Sequence, residues 1–337
     1  MSEITPVNPN FHEEYYSDHY KKWLESKSER YNDYRRKWSE NPVGYIDEGY
    51  PLNLDIDVTS ACNLRCPMCL RNSNAEKANP LFRKPKHFDF DLYKRLIDES
   101  AQLGVYAVKL LWVGEPLVYP RIVEMIQYAK DKGIEDVILT SNAVLLTEKM
   151  SRDLINAGLD KLYFSFDTPH KEAYEKIRVG AKFDEVFQNI KRFNEIRAEM
   201  NSLSPTTRAA MVIMPGHESS FEDYKVLFSD IVDIVAYLDY IDFDKDYYMA
   251  EGYENIEFSC SQLWHRLHVR VDGEICVCCS DYDAACGIGN IKDMTIKDAW
   301  NSEKLTEIRS LHQNMRWFDV GICRHCPITS FKSSGSV

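Results

Sequence analysis

Three closely spaced cysteines are the most informative residues of this 337-residue chain. They are Cys62, Cys66 and Cys69, and they follow an alternating apolar stretch at 52–58 that predicts a β-strand. Soft thiolates select zinc, copper(I) or iron–sulfur clusters. A structural zinc site takes four ligands, so three thiolates on one loop favour a [4Fe–4S] cluster with one iron left open for catalysis. A zinc ribbon or a group of buried thiols is the alternative.

This cysteine loop, with a first strand before it, resembles the signature of the radical S-adenosylmethionine (SAM) enzymes. The resemblance implies that the open iron chelates the amino and carboxylate groups of SAM. One electron then splits SAM into methionine and a 5′-deoxyadenosyl radical, which abstracts a hydrogen atom from substrate. It also implies that Met68 contacts the adenine and that a flavodoxin or ferredoxin donates the electron.

Strands and helices alternate between residues 51 and 245, which predicts an α/β protein with a parallel sheet. Strands are predicted at 52–58, 105–113, 136–140, 162–166, 207–214 and 231–241, and helices at 89–102, 119–132, 147–157, 171–176, 183–200 and 221–229. The number of strand–helix units alone does not distinguish a barrel from a doubly wound sheet. The family resemblance implies a partial (β/α)6 TIM-type barrel. We expect a helical capping segment at 1–50, the barrel at 51–250 and a small β-hairpin/helix auxiliary-cluster domain at 251–337.

Polar residues follow the predicted strands, at the end where a parallel barrel carries its active site. Gly114, Glu115 and Pro116 follow the second strand and resemble the family's glycine-glycine-glutamate-proline motif, with Val113 in place of the first glycine. That resemblance implies contacts to the SAM ammonium. Further SAM contacts are implied for Asn142 and Ser165, at the ends of the third and fourth strands, and for Arg178, which follows the fourth strand.

Seven of the 10 cysteines lie between residues 259 and 326. An Asp272-Gly273 hairpin signal, a predicted helix at 296–312 and a final Cys-x2-Cys complete this region. The arrangement resembles the SPASM or twitch domain of radical SAM enzymes. It implies that one auxiliary [4Fe–4S] cluster is held by Cys260, Cys278, Cys323 and Cys326. Cys276 or Cys279 remains an alternative to Cys278, and a zinc site remains an alternative to the cluster.

Two further sets of residues are candidates for chemistry on the substrate. One of Cys276, Cys279 and Cys286 is a candidate hydrogen-atom donor to a substrate radical. A base is needed to remove a proton from an alcohol substrate. The candidates are His217, after the fifth strand, and Asp242 and Asp244, after the sixth.

Composition excludes several classes of protein. The formal net charge of −12 argues against a nucleic-acid partner, which would require a basic patch. The N-terminus has no basic and apolar segments of a secretory signal, and no apolar stretch reaches the roughly 18 residues of a membrane span. The cysteines therefore indicate metal binding or catalysis in a cytoplasmic protein.

These observations predict a radical SAM enzyme that oxidises or epimerises a small sugar-like or aminocyclitol-like molecule. An auxiliary cluster favours oxidation, because it accepts an electron from a substrate radical, whereas a cysteine that donates a hydrogen atom favours epimerisation. Modification of a ribosomally synthesised peptide is the alternative enzymatic function. A zinc-stabilised binding protein on the same scaffold is the alternative without catalysis.

Overall fold

The computed structural model describes residues 11–72, 84–216, 220–241, 258–281, 284–324 and 326. The six predicted strands form, and the three predicted at 52–58, 105–113 and 231–241 are shorter than predicted. The strands are β1 Phe11–Tyr16, β2 Asn53–Ile56, β3 Ala107–Leu110, β4 Asp136–Ser141, β5 Lys161–Ser165, β6 Thr206–Ile213, β7 Ile234–Asp239, β8 Arg266–Val269, β9 Glu274–Cys276 and β10 Gly289–Asn290.

Helices connect the strands of the barrel and complete both ends of the chain. They are α1 Asp18–Glu25, α2 Glu29–Gly44, α3 Phe90–Leu103, α4 Ile122–Asp131, α5 Glu148–Asn156, α6 Lys171–Ile177, α7 Phe183–Glu199, α8 Phe221–Phe228, α9 Ile296–Trp300, α10 Glu303–Gln313 and α11 Gly321–Arg324. Among the described residues, none of the helices combines the length and apolar character needed to cross a membrane.

All ten strands belong to one sheet, in the order β1-β7-β6-β5-β4-β3-β2-β8-β9-β10. Strands β2 to β7 are parallel neighbours joined by helices, and β2 and β7 do not pair with each other. This arrangement confirms the α/β fold with a partial (β/α)6 barrel. Strand β8 extends the sheet by pairing in parallel with β2, and β9 and β10 continue it in antiparallel orientation.

Residues alternate along the strands between an apolar outer face and a polar inner face. On β2, Leu54 and Ile56 are fully buried in the main hydrophobic core, together with residues of the surrounding helices. Burying such a side chain contributes about 1.5–3 kcal/mol. Asn53 and Asp55 point to the opposite face, because successive side chains of a strand alternate. The polar face of the strands therefore lines the interior of the barrel.

The first described segment closes the amino end of the barrel. Trp23, Tyr31 and Tyr34 of α1 and α2 form an aromatic cluster with Leu52 and Tyr106, which precede β2 and β3. Two helices form in the segment predicted to cap the barrel, and this segment also contains a strand that was not predicted, β1, which pairs in antiparallel orientation with β7. An edge strand of this kind is stabilised by the neighbour it pairs with, which its own sequence does not reveal.

The helix predicted at 296–312 is instead two helices, α9 and α10. The break occurs at Ser302, whose hydroxyl accepts a hydrogen bond from the Leu305 amide at 3.3 Å and so begins α10. An N-terminal serine cap satisfies one of the free amides of a first helical turn. The predicted hairpin at Asp272-Gly273 does form, and Gly273 has a φ of 90° that suits glycine.

Candidate active site

The three cysteines after β2 line one cavity at the carboxyl end of the barrel strands. Residues at the ends of β3, β4 and β5 line the same cavity, including Glu115, Asn142 and Ser165. Burial raises the pKa of all three thiols, that of Cys66 to about 11. Metal ligation requires thiolates, so a metal centre bound here releases protons on binding.

Hydrogen bonds hold the cysteine loop to three neighbouring segments of the barrel. The Glu115 amide donates to the Ala61 carbonyl at 2.8 Å, and the Arg65 amide donates to the Val179 carbonyl at 2.9 Å. The Asn142 side-chain amide donates to the Asn63 side-chain oxygen at 2.8 Å. These contacts fix the loop before any ligand binds, which reduces the ordering cost of binding.

Gly114 allows the segment after β3 to approach the cysteine loop closely. A Cβ atom at this position would lie 1.8 Å from the Thr59 carbonyl oxygen and 2.8 Å from the Ala61 carbonyl oxygen. Both obstacles are backbone atoms, which cannot rotate away. The close approach therefore requires glycine at position 114, while the neighbouring Val113 is accommodated as a buried residue.

We expect Gly114→Ala to disrupt this junction. The added methyl group has to displace the loop that carries Cys62, so the free energy of unfolding should fall by about 3 kcal/mol or more. Thermal unfolding and iron content after anaerobic reconstitution measure the effect. Gly321→Ala is the matched control, because a Cβ there meets no atom within 4 Å. Equal melting temperatures and iron contents for the two variants would contradict the prediction.

Glu115 holds the end of β4 in place. Its carboxylate accepts hydrogen bonds from the Ser141 hydroxyl at 2.7 Å, the Asn142 amide at 2.7 Å and the Leu117 amide at 3.1 Å. Burial raises the pKa of this carboxyl, and the hydrogen bonds oppose that rise. Groups of the protein itself therefore donate three hydrogen bonds to the Glu115 carboxylate. Glu115 positions the end of β4 and has limited capacity to accept a further hydrogen bond.

Arg178 lies at the opposite side of the cavity, after α6. It forms an ion pair with Asp167, and one guanidinium nitrogen lies 3.9 Å from the Cys66 sulfur. Asp167 also accepts a hydrogen bond from the Val212 amide at 3.2 Å, which connects the ends of β5 and β6. Asp167 is a residue that sequence reasoning did not select, although it lies only two residues beyond the end of β5 at Ser165.

The remaining residues predicted to contact SAM occupy different environments. Ser165 lines the cavity, whereas Pro116 is buried at the start of a short 3-10 helix, Pro116–Val118. Met68 is partly buried against the main core and is not among the described residues that line the cavity. Their contacts with SAM stay predictions.

A second thiol-lined cavity lies in the C-terminal region. Cys260, Cys278, Cys323 and Cys326 all line it, with apolar neighbours such as Phe258. Burial raises the pKa of the Cys260 thiol to about 11, and it also raises the pKa of Cys278 and Cys323. The chain thus brings together the four cysteines predicted as ligands, and it places Cys278 rather than Cys276 or Cys279 in this cavity. Their ligation of a cluster stays a prediction.

His312 supports the second cavity and was missed by sequence reasoning. The Cys260 amide donates to its Nδ1 at 3.1 Å, and its Nε2 lies 3.4 Å from the Cys323 sulfur. Burial lowers the pKa of His312 to about 4, so the ring is neutral at pH 7. Since Nδ1 accepts, Nε2 carries the proton and donates to sulfur. The one sequence signal was its spacing of four residues from Ile308 and seven from Leu305, which places a polar ring on the buried face of α10.

The three cysteines outside the two cavities have separate surroundings. Cys276 is fully buried beside Asp281, and the Cys286 amide donates to the Asp281 carboxylate at 3.2 Å. Burial raises the pKa of the Cys279 thiol, which also experiences the charges of Asp55, Arg266 and Lys109. Cys279 is therefore the one of the three that faces the polar interior of the barrel. The candidate bases His217, Asp242 and Asp244 lie outside the described residues.

Comparisons with known families match both cysteine regions. Residues 56–224 match the family described as "Radical SAM superfamily", which covers half of the chain. Residues 260–327 match the family described as "Iron-sulfur cluster-binding domain", SPASM. The first match contains the cysteine loop and the second contains all four cysteines of the C-terminal cavity.

Curated relatives match the chain over part of its length. A probable GTP 3′,8-cyclase of Methanococcus maripaludis is 33% identical over 141 residues, which are 42% of this chain and 45% of the relative. A GTP 3′,8-cyclase of Limosilactobacillus fermentum is 36% identical over 136 residues, 40% of this chain and 39% of the relative. The chain therefore spans less than half the length of these relatives.

Solved structures share the fold over most of the chain. BtrN in complex with AdoMet and 2-DOIA has a TM-score of 0.55 and 20% identity, and the similarity covers 83% of this chain and 94% of BtrN. SuiB of Streptococcus suis bound to S-adenosylmethionine has a TM-score of 0.59 and 17% identity, covering 87% of this chain and 73% of SuiB. At these identities the similarity establishes the fold.

Proposed function

The chain belongs to the radical SAM superfamily, and we propose that it oxidises or epimerises a small carbohydrate-like substrate after hydrogen-atom abstraction. Membership gives this enzyme a SAM-binding [4Fe–4S] cluster, and the SPASM match gives it an auxiliary iron–sulfur cluster. When bound, these groups supply an electron that cleaves SAM and a site that accepts an electron from the substrate radical. A flavodoxin or ferredoxin is the proposed reductant.

The donor atoms of the chain fit these groups. Cys62, Cys66 and Cys69 line the first cavity, and no fourth cysteine among the described residues shares it, which leaves one iron for SAM. The second cavity offers four thiols, the number that a closed cubane cluster takes. We assign the three cysteines to the SAM-binding cluster and the four to the auxiliary cluster.

The observation that carries the proposal is a connection through Trp112 between the first cavity and the residue that follows Cys278. Its side chain lines the first cavity, and its Nε1–H donates to the Cys279 carbonyl at 3.0 Å. The next residue back along the chain, Cys278, lines the second cavity. Trp112 also has a φ of 140°, which a bulky residue rarely adopts and which persists only where surrounding contacts impose it. This connection supports an oxidation that uses both sites.

Cys279 supports the epimerisation form of the proposal. Its thiol lies near the charged groups of the barrel interior, where a substrate radical next to SAM would form. Cys276 and Cys286 lie beside Asp281 instead. Among the three candidate hydrogen-atom donors, we therefore propose Cys279 for this role.

The test combines metal content with the fate of a labelled substrate. Anaerobically reconstituted enzyme, with SAM and a strong reductant, should contain about eight irons per chain. It should form 5′-deoxyadenosine that carries deuterium from a C-deuterated aminocyclitol or sugar. A ketone product favours oxidation, and solvent hydrogen at the reacting carbon of an inverted alcohol favours epimerisation.

Other outcomes would redirect or overturn the proposal. About four irons with one zinc would remove the auxiliary cluster and the oxidation that depends on it. Deuterium transfer from a peptide but from no sugar or cyclitol would favour peptide modification. A chain that holds zinc alone and does not cleave SAM would favour a binding protein.

A further inference from the structure

Five side chains from four strands meet in the barrel interior. Asp55 of β2 pairs in register with Lys109 of β3 on one side and with His268 of β8 on the other. Arg266 of β8 and Arg208 of β6 complete this interior cluster. Arg208 is the in-register partner of Tyr163 on β5. Because Leu162 and Phe164, on either side of Tyr163, belong to the main core, Tyr163 and Arg208 face the barrel interior.

Most charges of the interior cluster are already paired. The Asp55 carboxylate accepts hydrogen bonds from Arg266 at 2.7 Å and from the Asn53 side chain at 2.8 Å. Arg208 donates to Glu13 at 3.0 Å, and its guanidinium lies 3.6 Å from the centre of the Tyr163 ring. These partners neutralise both arginines and Asp55.

Lys109 is the exception. Within the part of the chain that the structure describes, its ammonium group has no hydrogen bond or ion pair, and its side chain is half-buried. Its in-register neighbour Asp55, whose charge favours the protonated lysine, is hydrogen-bonded to Arg266 instead. Burial lowers the pKa of Lys109 to about 8. Buried charges in proteins are normally paired, so an unpaired ammonium in this position indicates a place for an external anion.

His268 adds two unpaired polar atoms next to Lys109. The side chain is 1% exposed, and neither ring nitrogen has a hydrogen-bond partner among the described residues. Burial lowers the pKa of His268 to about 4, so the ring is neutral and offers one donor and one acceptor. An unsatisfied buried polar group destabilises the folded protein, and a ligand that supplies its hydrogen-bond partners would recover that cost.

The interior cluster adjoins the cavity of the three cysteines. Leu111, two residues after Lys109 on the same face of the chain, lines that cavity. The Trp112 ring lines it too, and it meets the His268 ring edge-on with 4.6 Å between centroids. A molecule bound to Lys109 and His268 would therefore lie next to the site proposed for SAM.

We propose that the interior cluster is a substrate subsite in which Lys109 binds an oxyanion, a carboxylate or a phosphate, and His268 hydrogen-bonds a neighbouring hydroxyl group. This inference rests on the proposed function, which places the reaction beside the SAM site. It narrows the substrates of the enzyme to anionic, hydroxylated molecules. Lys109 supplies the positive charge that binds the anion, because Arg208 and Arg266 already form ion pairs with Glu13 and Asp55.

The test measures binding of simple anions to the holoenzyme. Inorganic phosphate and acetate are titrated by calorimetry into reconstituted wild-type protein with SAM, and into the Lys109→Met, Lys109→Arg and Lys176→Met variants. Methionine has a volume similar to that of lysine and carries no charge. The substitution removes a desolvated cation from the interior, so the variant should fold. Lys176 is an exposed lysine of α6 and controls for loss of charge.

We expect at least one of the two anions to bind saturably, at least 10-fold more weakly to Lys109→Met, with recovery in Lys109→Arg and no change in Lys176→Met. The anion that binds distinguishes phosphate from carboxylate recognition. Binding of neither anion, or equal binding to wild type and Lys109→Met, would overturn the inference. The proposed function is judged separately, by 5′-deoxyadenosine formation in the wild type, so either can fail while the other stands.

Discussion

Replacement of Cys66 by alanine is expected to lower 5′-deoxyadenosine formation by at least about 1,000-fold, because a cluster held by two thiolates cannot be retained in a form that binds SAM. Iron content should fall from about eight to about four per chain. Cys66 is buried, and its sulfur lies 3.9 Å from Arg178. Iron analysis and the 5′-deoxyadenosine assay measure the two effects.

Arg65→Ala is the control for the cysteine loop. Arg65 is exposed and contributes its backbone amide to the contact with Val179, which alanine preserves. This variant should keep its iron and its melting temperature. Undiminished cleavage of SAM by the Cys66→Ala variant would show that these cysteines do not hold the SAM-binding cluster.

Replacement of Cys278 by alanine is expected to remove the auxiliary cluster and leave the SAM-binding cluster in place. Iron content should fall to about four per chain, and substrate oxidation should fall by at least about 100-fold, while 5′-deoxyadenosine still forms. The reason is geometric, because Cys278 lines the C-terminal cavity with Cys260, Cys323 and Cys326. Iron analysis, product analysis and electron paramagnetic resonance of the reduced protein measure the outcome.

The neighbouring cysteines provide matched comparisons for Cys278. Cys276→Ala and Cys279→Ala should each retain about eight irons, since neither side chain is among the residues that line the C-terminal cavity. Loss of about four irons in Cys279→Ala, with full iron in Cys278→Ala, would show that Cys279 and not Cys278 holds the auxiliary cluster.

Local signals in the sequence predicted most of the barrel. The period-2 and helical patterns located each strand and helix between β2 and β7, because each element buries an apolar face of its own. Strand β1 was missed because its stability comes from pairing with β7, more than 200 residues away along the chain. The break at Ser302 was missed because the apolar pattern continues through it.

Some residues of the candidate sites were likewise visible from local spacing, and others are brought together only by the fold. The cysteine loop and the final Cys-x2-Cys were visible because their spacing is short and local. The family resemblance implied Cys278 as a ligand and left Cys276 and Cys279 as alternatives, because β9 ends at Cys276 and strand alternation no longer fixes the side chains beyond it. Of the three, the structure places Cys278 in the C-terminal cavity. The ion pair of Asp55 with Arg266 joins residues 211 positions apart, so spacing along the chain could not reveal the interior cluster.

The pairing of β2 with β8 fixes the distance between the two thiol sets. The cysteine loop begins just after β2, and Cys278 follows the β8–β9 hairpin, so the first set and Cys278 of the second set are attached to strands that share four in-register residue pairs. A hinge between them would have to break main-chain hydrogen bonds. Electron tunnelling between the sites would therefore occur over a constant gap, and the magnetic coupling of two reduced clusters should be the same with and without substrate.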